Sequence, residues 1–130
     1  MKIIYQTATG VAILTPTGEL SVEDTAAKDV PAGVAYTIVN DEDVPSDRTF
    51  RNAWKSDLTV DFPKAQALTK DRLRAERKPL LEAQDVLFQR ALETGKDATA
   101  IVKEKQRLRD VTKLVDVATT LDALKNMGVV

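Results

Sequence analysis

Neither cysteine nor histidine occurs in this chain of 130 residues. Their absence removes disulfides, thiolate nucleophiles, and thiolate or imidazole metal ligands, together with the commonest general base. Ser-His-Asp and Cys-His nucleophile sets are excluded for the same reason. The five glycines stand apart from one another, so no phosphate-cradling or dinucleotide-binding glycine loop exists. No apolar run approaches the roughly 20 residues of a membrane-spanning helix. The opening MKIIYQTATG is also too short and too polar for a secretory signal. A net charge of −1 gives no global attraction to nucleic acid or anionic membranes. A chain without cysteine fits a reducing cytoplasm. Paired carboxylates remain, but none lies in a stretch that reads as a cleft. The expectation is a soluble, non-enzymatic protein with no cofactor, no metal and no membrane contact.

The charge that is present is unevenly placed. Residues 1–62 hold five basic side chains against ten acidic ones, whereas residues 63–130 hold fourteen basic and ten acidic. That break coincides with Pro63, which suits the first turn of a helix. Composition and pattern therefore divide the chain into a β-rich part, 1–62, and a helical part, 63–130.

In the first part, Lys2–Thr7 and Val11–Thr15 read as strands joined through Ala8-Thr9-Gly10. Ser21 heads a short helical segment to Lys28, with Asp24 three residues on as a capping-box variant. Val34–Val39 is the strongest strand pattern, and Leu58–Phe62 alternates as a further edge-like strand. So small a sheet is expected to need the helices or another chain over its apolar face. The acidic run Asp41, Glu42, Asp43 and Asp47 lacks the Gly and terminal Glu of a calcium loop. It reads as a solvated turn. Ser46 is placed to start a short helix presenting Phe50, Ala53 and Trp54 on one face. Trp54 then serves as a packing anchor, with an aromatic partner contact through Phe50 and Trp54 as the alternative. Arg48 and Arg51 are expected to pair with the acidic loop.

In the second part, Leu73, Leu80 and Leu87 recur every seven residues, shadowed by Leu81 and Phe88 and continued by Ala91 and Leu92. This apolar stripe of helical period runs to Gly95, a left-handed stop. It broadens after Pro79, which predicts a kink in one long helix rather than a split, since Lys78 is a poor cap. Asp97 heads a second helix reaching about Val117 with Ile101, Leu108 and Val115 on one stripe. So short a link predicts an antiparallel helical hairpin. Thr119 or Thr120 caps a last short helix ending at Gly128. The fold class is thus α+β: a small N-terminal antiparallel sheet, a long helical hairpin and a short C-terminal helix.

The cations of the two hairpin helices, such as Arg72, Arg74, Arg107 and Arg109, are interleaved with carboxylates. Arg72–Glu76 and Lys78–Glu82 sit at bridging spacing, and no aromatic is interspersed for base stacking. A mixed-charge solvated face is expected, not a nucleic-acid reader. The broad stripe predicts packing or partner contact through Leu80, Leu81, Leu87, Phe88 and Leu92, and makes self-association of the chain an expectation.

Three segments, DVPAGVAYTIV (29–39), VPSDRTFRNAW (44–54) and AQALTKDRLRAERKPLLEAQDVLFQRALE (65–93), resemble small proteins of tailed bacteriophages. Such proteins are described as tail-fibre assembly or tail assembly chaperone-like proteins. The resemblance spans most of residues 29–110, and its most distinctive piece is Pro-x-Asp-Arg-x-Phe-Arg-x-Ala-Trp at 45–54. It implies a chaperone or adaptor that contacts a phage tail or tail-fibre protein in the host cytoplasm during assembly. A structural virion component of head, connector or tail is the alternative. No catalytic motif travels with the resemblance.

Overall fold

A computed structural model describes all residues, Met1–Val130. The chain divides into two compact units, Met1–Ala65 and Gln66–Val130.

The first unit is built on strands β1 (Lys2–Thr7), β2 (Gly10–Leu14) and β3 (Tyr36–Val39). They form one antiparallel sheet in the order β2-β1-β3, with β1 central. The β1–β2 turn depends on Gly10, whose φ is +145°, outside the range a side chain tolerates. The turn is closed by Gln6 Nε2 and Thr7 Oγ1, which both donate to the Gly10 carbonyl. Helix α1 (Val22–Asp29) is capped as its sequence suggests, the Ser21 hydroxyl accepting from the Asp24 amide at 3.1 Å.

Alternation along β1 sends neighbouring side chains to opposite faces, and each face is covered within this unit. Ile3, flanked by Leu14 and Ile38, packs against Ala26 and Val30 at α1. Ile4 and Val11 pack with Trp54, bordered by Ile13, Val39, Val44, Leu58 and Val60. One face is thus covered by a helix, as the sequence suggests, and the other by Trp54 and its neighbours. The covering comes from α1 on the first face and from the long connection after β3 on the second.

That connection departs from the sequence reading in three places. No helix starts at Ser46: the Asp47 carboxylate instead accepts from the Thr49 amide and hydroxyl, diverting the backbone into a local turn. Two single 3-10 turns wind in this connection, Asp41–Asp43 and Arg51–Ala53. Leu58–Phe62 is no strand either. Its one sheet-like contact is the Trp54–Val60 bridge, because a tight turn holds Leu58 at φ +65° and leaves too few residues for a ladder. Finally, the long helix α2 (Phe62–Thr94) starts one residue before Pro63. Asp61 supplies the cap, accepting from the Lys64 amide.

Helix α2 runs for 33 residues, about 50 Å at 1.5 Å per residue. It passes through Pro79 as one helix, although Pro79 donates no hydrogen bond. Gly95 ends it in the left-handed conformation, at φ +67°. The Lys96 amide reaches back to the Ala91 carbonyl at 2.9 Å, which satisfies the helix end. Helix α3 (Thr99–Asp110) is shorter than its stripe suggests. At Val111-Thr112 the ladder tightens to i→i+3 bonds before α4 (Lys113–Val117). Val111 and Val115 are both buried across this break. Thr120 then caps α5 (Leu121–Lys125), its hydroxyl accepting from the Ala123 amide.

Long-range contacts fix the antiparallel direction of the α2–α3 hairpin. Arg77 donates to the Leu108 and Arg109 carbonyls, and Lys105 pairs with Asp85 at 2.6 Å. Further along, Gln66 donates to the Val115 carbonyl, Lys70 pairs with Asp116, and Arg72 donates to the Leu124 and Met127 carbonyls. Several of the cations on α2 thus hold the hairpin and its C-terminal extension together. Arg72 also bridges Glu76 at 2.9 Å, as its spacing suggests, whereas Lys78 and Glu82 form no ion pair. No helix is long and apolar enough to cross a membrane.

Candidate functional site

Burial along the hairpin runs opposite to the width of its apolar stripe. The stripe is broadest after Pro79, yet the fully buried side chains Thr69, Leu73, Leu108, Val115 and Leu124 belong to the end where α4 and α5 add further layers. Towards the Gly95 turn only α2 and α3 remain. A helix facing one neighbour buries one stripe, and residues at i and i+1, about 100° apart, cannot both lie at its centre. The sequence supplies apolar doublets here: Leu80-Leu81, Val86-Leu87-Phe88, Ala91-Leu92 and Ile101-Val102. Three of these four runs leave at least one member in solvent, whereas Leu80 and Leu81 are both half-buried.

Ala91 is buried, and Leu80, Leu81, Phe88 and Ile101 are half-buried. Leu87 is 43% exposed, Val86 50%, Val102 52% and Leu92 60%. Large apolar side chains are left in solvent at the other end too, Leu114 at 56% and Val117 at 75%, so what distinguishes this end is the groove that Leu87 lines. Covering one such side chain fully is worth about 1.5–3 kcal/mol. A groove of about 420 Å³ lies within this end, with Leu87, Ala91 and Ile101 on its apolar wall. Arg90 and Lys96 stand on its rim with Glu93 and Asp97, so its charges balance.

The frame of this surface is well tied. The Lys105 ammonium lies 5.1 Å from the centroid of the Phe88 ring while it pairs with Asp85, clamping α3 to α2. In the turn, the Asp97 carboxylate accepts from the Thr99 hydroxyl and amide. The Thr99 hydroxyl, then its N–H, holds the Asp97 carboxyl below its ordinary value of 3.8. Because that pKa is depressed in the folded chain, the tie is fully present above the ordinary value and is lost as pH falls through the folded one.

The seven sequence-predicted contact residues separate into two groups. Leu80, Leu81, Leu87, Phe88 and Leu92 lie on the hairpin end just described, with Leu87 and Leu92 the most open. Phe50 and Trp54 belong to the first unit. Trp54 is 2% exposed, so it is the packing anchor and presents no surface, and Phe50 is half-buried beside it. Val86 and Val102 were missed because they fall off the main stripe. Their place in doublets was the available signal.

The chain matches no protein-family model, no curated protein and no solved structure.

Proposed function

We propose that this chain is a non-enzymatic assembly protein of a tailed bacteriophage. It acts by docking the distal end of its α2–α3 hairpin onto an apolar surface of a tail or tail-fibre protein. The observation that carries this reading is the groove at that end, lined by Leu87, Ala91 and Ile101, with Val86, Leu92 and Val102 exposed on the same two helices, on a frame held by the Lys105–Asp85 ion pair and the Asp97–Thr99 bonds. The setting rests on the resemblance of residues 29–39, 44–54 and 65–93 to phage tail-assembly proteins. Such a protein works in the host cytoplasm while tails are built, and then leaves.

The balanced charges on the groove rim favour a second reading, in which copies of this chain pack on one another and remain as a virion component. Quantitative mass spectrometry of purified particles separates the two. The assembly reading expects the protein to be absent from finished particles, and expects phages lacking it to build defective tails or fibres. Recovery in fixed stoichiometry with a tail or head protein would contradict it and assign the chain to the virion.

A further inference from the structure

Three cations converge on one small cleft in the first unit, and no carboxylate lines it. Lys2, Arg48 and Arg51 surround about 240 Å³ beside β2, with Val11, Ile13 and Val44 as its apolar wall. This happens in the half of the chain where acidic residues outnumber basic ones by ten to five. The arginines were expected to pair with the neighbouring acidic loop, and they do not. Asp41 instead pairs with the Met1 amine at 2.9 Å, Asp43 accepts from the Asn40 amide, and Asp47 accepts from Thr49. Neither guanidinium makes an ion pair or hydrogen bond within the chain, whereas Lys2 is steadied by donating to Thr15 Oγ1 at 3.0 Å.

The backbone carrying these arginines is fixed. Trp54 and Ala53 are buried just behind it, and Asp47 ties the turn before it. At Gly10 the approach is so close that a Cβ would lie 3.1 Å from the Arg51 carbonyl oxygen. A well-tied segment therefore places two unpaired guanidinium groups on the same cleft as the Lys2 ammonium, which Asp41 also senses, so an anion in the cleft would meet a surplus of positive charge. Guanidinium forks match the paired oxygens of phosphate or carboxylate. The volume is below the roughly 300–1,000 Å³ of clefts that hold drug-sized ligands, so it suits one anionic group and excludes a whole nucleotide.

We infer that the cleft of Lys2, Arg48 and Arg51 binds an oxyanion group, a phosphate or a carboxylate. Titrating the full chain with pyrophosphate and separately with citrate, followed through amide chemical shifts, tests this. The expected result is saturable one-site binding of at least one anion, with shifts centred on Lys2, Val11, Arg48 and Arg51. Tighter pyrophosphate binding points to a phosphate source, and tighter citrate binding to a carboxylate source. Arg48→Gln and Arg51→Gln should each weaken binding about tenfold while the spectrum stays folded. Arg74→Gln, on α2, should leave the affinity unchanged. Shifts that never saturate, an affinity retained in either cleft variant, or an equal loss in Arg74→Gln would overturn the inference.

Discussion

Replacing Trp54 with Ala is expected to destabilise the first unit by about 3–5 kcal/mol, the range for removing a large aromatic from a packed core. Stabilities of whole domains are only about 5–15 kcal/mol, so a unit of 65 residues has little margin for this loss. Trp54 is 2% exposed and fills one entire face of the sheet, against Ile4 and Val11 and the half-buried Ile13, Val39, Val44, Leu58 and Val60. The hole cannot close easily, because Gly10 already holds the preceding turn at contact distance. Trp54 is also the sole tryptophan, so the variant removes the obvious fluorescent probe. Urea unfolding followed by amide resonances is the suitable measurement. Resonances of residues 1–65 should lose dispersion at much lower urea than in the native chain.

Leu108→Ala is expected to cost about 2–5 kcal/mol in the second unit. Leu108 is fully buried, and its carbonyl accepts from Arg77 across the hairpin, so the cavity forms where α2 and α3 are joined. Val102 lies on the same helix but is 52% exposed, and Val102→Ala should change stability by no more than about 0.5 kcal/mol. Thermal unfolding followed by helical circular dichroism measures both. The contrast between two truncations on one helix separates burial from helix propensity.

Features set by short-range rules were legible in the sequence. The strands β1 and β2, the Ser21 and Thr120 caps and the Gly95 stop all follow from a few adjacent residues. Where local and tertiary signals compete, the reading failed. Leu58, Val60 and Phe62 alternate as a strand should, but the turn at Leu58 leaves them a single bridging contact. Ser46 carried a helix-start pattern that the Asp47–Thr49 bonds overrode. The helix expected to reach Val117 ends at Asp110 and resumes as α4 after two residues bonded i→i+3, a break that no residue pattern marks.

The candidate site was half legible for the same reason. A heptad stripe identifies which residues seek cover, but it does not say how many helices are present to provide it. Leu73 and Leu87 occupy the same stripe, yet α4 and α5 extend the packing near Leu73, and Leu87 remains 43% exposed. The basic cleft had no signature along the chain, since Lys2 stands far in sequence from Arg48 and Arg51 and only the sheet brings them together.

The proposed docking role of the hairpin end, on a phage tail or tail-fibre protein, is tested most directly by one double variant. Leu87→Asp with Leu92→Asp places two charges at exposed positions of the hairpin end without emptying the core. The variant and the native chain are each co-expressed with the tail and tail-fibre proteins of the same phage and purified. The account predicts that the native chain co-purifies with one of these proteins and that the variant loses it, while the variant's thermal midpoint stays within a few degrees of native, about what a surface change allows. Retention of the partner by the folded variant would contradict it.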